Sequence, residues 1–276
     1  MRQPSSPIGW PWRWAEAKPD AGLNGEAGLA VVLMGLLGLI AGSFIAAVSV
    51  RLPRDESIAS GRSRCMACET PLKAWQLVPV LSWVALNGRC GTCRASISWR
   101  YPAIELTAAA IGVWAALNGG GWLMVGITAL LGWQLLLVGL IDGEHFWLPD
   151  ILTWPMIMTG LAAAALTGVD PAIQRAIGAL AGFAVLWSLA WVYRVIRKRD
   201  GLGGGDPFLF AGAGAWVGWM GLPSVLLWAS AAGFSIIAAR LLLRRPMAGT
   251  DRLPFGVFLA AGIWLTWLYG PIGLVR

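Results

Sequence analysis

Runs of apolar residues long enough to cross a bilayer recur along this chain, and they constrain its fold more than any other feature. A stretch of about 18 or more residues with few charges reads as a transmembrane helix. In hydrocarbon every backbone N–H and C=O must be satisfied within the protein, which leaves helices and closed barrels as spanning structures. The runs here are solid, without the alternation that a barrel strand needs, so the spans are helical. Segments 28–50, 102–117, 122–141, 151–168, 173–193, 207–220, 222–243 and 254–272 meet the description. The expected fold is therefore an all-α polytopic membrane protein with about eight transmembrane helices. Composition agrees, since 57% of the 276 residues are hydrophobic, 13% are charged and the mean hydropathy is +0.66.

Residues 1–27 are polar, Pro-rich and aromatic, unlike the apolar core of a cleaved signal peptide. They read as an N-terminal tail, either disordered or laid along the interface through Trp10, Trp12 and Trp14. With the N-terminus outside, the segments 51–101, 142–150, 194–206 and 240–253 face the cytoplasm and carry 16 of the 21 Lys and Arg. The positive-inside rule favours that orientation, with both termini outside. The net charge of +7 then follows from topology and anionic lipid, and no motif or dense basic tract points to nucleic acid.

The cytoplasmic segment 51–101 holds all four cysteines, as "CMAC" at 65–68 and "CGTC" at 90–93 with 21 residues between. That spacing is close to a four-thiolate zinc ribbon. Because the cytoplasm is reducing, Zn²⁺ on Cys65, Cys68, Cys90 and Cys93 is the economical reading. Four thiolates leave no open position, so the metal is expected to be structural.

Two acidic residues then stand out at the ends of apolar runs. Asp142 closes the third span in "IDGEHFWLPD" (141–150), and Asp206 opens the sixth in "GLGGGD" (201–206). In this topology both ends lie at one membrane face. Asp206 precedes Pro207, an ordinary helix start, and Asp150 has the same capping alternative at the fourth span. Asp142 is different, because a helix C-terminus disfavours negative charge. Two carboxyls that face each other share one proton, which is the condition for aspartic-protease chemistry: one carboxylate takes a proton from water and the protonated partner donates to the scissile carbonyl. Gly203, Gly204 and Gly205 are either a flexible turn or bare backbone that admits an extended substrate.

Together these residues resemble the type IV prepilin peptidases. The resemblance runs from about residue 36 to 245 and includes "GSFIAAVSVRLPR" (42–54), both CxxC pairs, "PVLSWVALNGRC" (79–90), "SWRYPAIEL" (98–106), "IDGEHFWLPD" and "GLGGGDPFLFAGAGAWVGW" (201–219). It implies a GxGD-type intramembrane aspartyl protease of the bacterial inner membrane, with Asp142 and Asp206 as the catalytic pair. It further implies cleavage of the basic leader of type IV prepilins or type II secretion pseudopilins, after a Gly on the cytoplasmic side. The new N-terminus, usually Phe, would then be methylated from S-adenosylmethionine. The corresponding organisation is an N-terminal tail (1–27), a first transmembrane helix (28–50), a cytoplasmic four-cysteine domain (51–101) and an aspartyl protease core (102–276).

The methyl-transfer half rests on the resemblance alone, since no nucleotide fingerprint is present. Glu105 and the zinc loop are candidate contributors, and Glu105 has the alternative of an interfacial acid near Arg100. The sequence departs from the family pattern at Ala46 (for Asn), Met66 (for Pro) and Phe208 (for Lys). A catalytically silent membrane scaffold for pilus or secretion assembly is the alternative reading that the missing Lys keeps open.

Overall fold

Helices form where the apolar runs lie. The computed structural model describes residues 25–58, 62–118, 121–199, 201–243 and 253–272; the 1–27 tail falls almost wholly outside them. The helices are α1 (Gly25–Arg51), the short α2 (Leu81–Ala85), α3 (Arg100–Asn118), α4 (Gly121–His145), α5 (Asp150–Thr167), α6 (Val169–Arg197), α7 (Asp206–Leu242) and α8 (Phe255–Tyr269). Among the described residues the only β-structure is two isolated bridges. By length and composition five segments can cross a membrane, namely Glu26–Arg54, α4, α5, α6 and α7, and α8 is a shorter apolar helix. This is the all-helical multi-pass architecture expected.

Two compact units divide at Leu137–Val138, inside α4. In the N-terminal unit α1 and α3 approach through small residues, as membrane helices do when close packing replaces the hydrophobic effect. Gly38 faces the backbone of Ala108 and Ala109, and a Cβ at Gly42 would lie 2.6 Å from the Cα of Glu105. On α4, Trp133 donates its indole N–H to the Ala108 carbonyl at 2.8 Å. The outer face of α1 leaves Leu33, Leu36, Ile40 and Phe44 exposed, as lipid contact requires.

The C-terminal unit is built around the first part of α7. Residues 209–218 are buried on every side, which suits the small side chains of "LFAGAGAWVG". Gly160 of α5 packs on Ala215 and Trp216, while Gly178 and Gly182 of α6 pack on Gly214 and Phe210. At Gly218 the backbone leaves the helix with φ 70° and ψ 172°, a region open only to glycine.

That break is a reversal. Asp206 lies within electrostatic reach of Asp142, Asp142 abuts Gly256, and the ring of Phe258 lies 3.6 Å from where a Cβ on Gly233 would sit. A straight helix would separate residues 206 and 233 by about 40 Å. The two arms, 206–217 and 219–242, therefore run in opposite directions and supply the separate spans expected at 207–220 and 222–243. The helix α6 runs antiparallel to the first arm and outruns it. Phe183 stacks near Phe208 at 5.0 Å, so Asp206 sits level with about Leu186, and α6 continues to Arg197 with Trp187, Leu189, Trp191 and Ile196 exposed.

Candidate active site

Asp142 and Asp206 come together at one end of the C-terminal unit, both buried. Asp142 lies one turn before the end of α4, where that helix's own dipole disfavours a charge. What holds it is a different helix: Val257, in the first turn of α8, donates its N–H to the Asp142 Oδ2 at 2.9 Å, and the Gly256 N–H also points at the carboxylate. The N-terminus of α8 thus offsets the C-terminus of α4. Gly256 has to be glycine for this approach, because a Cβ there would lie 2.8 Å from the Asp142 carboxyl and from Leu148.

Asp206 is the first residue of α7, with Gly205 at the N-cap position. Its carboxylate reaches back to accept the Gly203 N–H at 2.9 Å. The three glycines divide their work. Gly203 is occupied by Asp206, Gly205 is wedged against the Leu148 carbonyl, and Gly204 has open space around it. Leu148 therefore touches both sides of the site, at Gly205 and at Gly256.

Asp150 is not part of this pair. It is exposed, and it forms the first residue of α5 after a Pro149 N-cap, so it supports the helix dipole and does not cap with its side chain. Phe208, where the family pattern has Lys, packs between the rings of Trp154 at 6.2 Å and Phe183 at 5.0 Å. An apolar cluster occupies the place of a cation.

In the N-terminal unit the two CxxC stretches fold as near-identical knuckles. Cys65 N–H donates to the Thr70 carbonyl and Cys90 N–H to the Ala95 carbonyl, while Glu69 and Arg94 both take positive φ to close the turn. All four sulfurs lie within 4.8 Å of one another, and Cys65 and Cys93 are 3.8 Å apart. A tetrahedral ion with metal–sulfur bonds of about 2.3 Å needs sulfur edges of about 3.8 Å. The cluster can hold a metal ion. Backbone N–H groups of Cys93 and Thr92 draw the Cys90 thiol down to about 6. The Cys93 thiol is pushed up to about 11: the Ala95 N–H favours its thiolate, but the Cys68, Cys90 and Cys65 sulfurs beside it outweigh that. Four thiolates in so small a space would need a cation between them.

Beside the knuckles lies a cavity of about 930 Å³. Its wall includes Ser43, Ala47 and Arg51 of α1, one turn apart on one helix face, and Tyr101 and Glu105 of α3. Glu105 is buried and accepts the Val80 N–H at 2.7 Å, with the Ser43 side chain beside it. Val80 reaches it with φ 60° and ψ −51°, a conformation that β-branched residues avoid. The Arg100 guanidinium turns to Ser49 at 2.9 Å, and no ion pair to Glu105 is found among the described residues.

Residues 36–118 match the Bacterial Peptidase A24 N-terminal domain, and residues 129–238 match the Type IV leader peptidase family. The chain is 35% identical over 267 residues to the prepilin leader peptidase/N-methyltransferase of Stutzerimonas stutzeri, covering 88% of this chain and 92% of that protein. It is 41% identical over 210 residues to the protein of the same name from Aeromonas salmonicida, covering 76% of this chain and 72% of that one. The Pseudomonas aeruginosa protein of that name is 34% identical over 259 residues, with 85% and 89% covered. No solved structure matches the chain.

Proposed function

This chain belongs to the type IV leader peptidase family, and on that premise we propose that Asp142 and Asp206 are the pair with which it cuts the basic leader from prepilins or pseudopilins. The observation that carries this reading is the meeting of two buried carboxyls from separate helices, each fixed by backbone N–H donors. With one proton between them, one carboxylate removes a proton from the attacking water while the other carboxyl donates to the scissile carbonyl oxygen. Collapse of the tetrahedral intermediate returns a proton to the leaving amine and restores the pair. Neither carboxyl has to turn during the cycle, because Val257 and Gly203 hold them in place. Among the glycines ahead of Asp206, Gly204 is the one placed to let substrate backbone approach. The basic residues favour a cytoplasmic orientation for this end of the unit and an inner-membrane location.

The four thiolates would hold a structural Zn²⁺, which ties together a loop too small to build its own core. The second activity is N-methylation of the trimmed product. The mixed lining of the cavity fits S-adenosylmethionine: Trp83 and Tyr101 offer aromatic faces, and Arg51, Arg64 and Glu69 offer charge for the donor's polar end. When bound, it would supply an electrophilic methyl group. Incubation of the purified protein with a prepilin in detergent, read by intact mass, tests both halves. Loss of the leader is expected first, then a gain of one methyl group when the donor is added. An uncut substrate would overturn the assignment.

A further inference from the structure

The cavity beside the knuckles contains a carboxylate that neither the peptidase pair nor the metal cluster uses. Glu105 is 7% exposed, lines the cavity, and is held in place by the Val80 N–H. A buried carboxylate without an ion-pair partner is costly, and a cation in the adjoining space would relieve that cost. The sequence has arranged the approach in detail. Gly42 removes the side chain that would strike the Glu105 backbone, Ser43 lies next to the carboxylate, and Val80 accepts an unfavourable φ to present its N–H.

The surroundings say which cation fits. The wall that includes Glu105 is mixed: Ala47, Val50 and Pro102 supply apolar surface, and Arg51, Arg62 and Arg64 supply positive charge. An ammonium carried at the very end of an apolar segment matches the buried carboxylate together with the apolar residues. A donor molecule that bears a carboxylate matches the arginines. We propose that Glu105 receives the free α-ammonium of the trimmed substrate, takes the proton that must leave the nitrogen before its lone pair can accept a methyl group, and so sets which nitrogen is presented for methylation. This rests on the reading of the protein as an N-methyltransferase, and it assigns to that activity a residue for recognising the acceptor.

The test is equilibrium binding to the purified full-length protein in detergent, with a short apolar peptide that begins with Phe, the same peptide N-acetylated, and S-adenosylmethionine alone. Wild-type protein is expected to prefer the free amine by about tenfold or more, as loss of a charged hydrogen-bonded pair implies. Glu105→Gln keeps an acceptor for the Val80 N–H and should bring the two peptides to near-equal affinity, while Glu105→Asp should retain a preference. Thermal melting and metal content of each variant report folding. Equal binding of both peptides by the wild type overturns the inference whatever the variants do. Loss of donor binding in Glu105→Gln with the peptide preference intact also overturns it, because Glu105 would then serve the donor. A protein that cuts prepilin but ignores the peptide N-terminus refutes this inference alone; one that neither cuts prepilin nor binds any peptide refutes the proposed function as well.

Discussion

At the scale of residues, the peptidase reading reduces to two carboxyls and their donors. An amide in place of either carboxyl can neither accept the water proton nor regain it, so Asp142→Asn and Asp206→Asn should each lower leader cleavage by at least about 100-fold, whereas Asp150→Asn should stay within about twofold of wild type. Cleavage of a prepilin by variants inserted at the wild-type level is the measurement. Both aspartates were legible in the sequence because a charge at the end of an apolar run is conspicuous. Their holders were not. Val257 and Gly256 act through backbone N–H groups, which every residue but proline carries, and they lie more than 110 positions beyond Asp142. Gly256→Ala tests them: its Cβ would meet the Asp142 carboxyl at 2.8 Å, and cleavage should fall at least about tenfold while the protein stays folded. Wild-type turnover in that variant would show that α8 does not position Asp142.

At the scale of elements, the knuckles and the broken α7 make opposite demands on prediction. The CxxC spacing singled out from sequence the four cysteines whose sulfurs come together, because a candidate metal site is defined by side-chain type and interval. Replacing Cys65 and Cys68 by Ser should release about one equivalent of zinc, as metal analysis of chelator-free protein would register, and loosen the segment while the aspartate pair keeps its place. The turn in α7 was legible as two adjacent spans, yet the residue that makes it was not, since the stretch around it holds several glycines and only one has φ 70° with ψ 172°. An alanine side chain is strained there. Gly218→Ala should cost about 1–3 kcal/mol, visible as a lower thermal midpoint in detergent, whereas Gly204→Ala, with open space around it, should not.

At the scale of the whole molecule, hydropathy established a helical membrane protein, because a bilayer leaves few other structures, and family resemblance supplied the reaction. What neither supplied is the depth of the chemistry. The first arm of α7, residues 206–217, is about 18 Å long, short of the roughly 30 Å hydrocarbon layer, whereas α6 is about 43 Å long and leaves apolar side chains exposed beyond the level of Asp206. The far part of α6 thus projects past the level of Asp206, and lipid matched to the exposed length of α6 would stand above the buried site, so the site is expected to work best where the bilayer beside it is thin. Its rate should then depend on lipid chain length. Reconstituted in phosphatidylcholines of increasing acyl length at fixed fluidity, cleavage should pass through a maximum and decline in the thicker membranes, where closing the gap over the site costs more; a flat response would mean that the lipid does not feel the step.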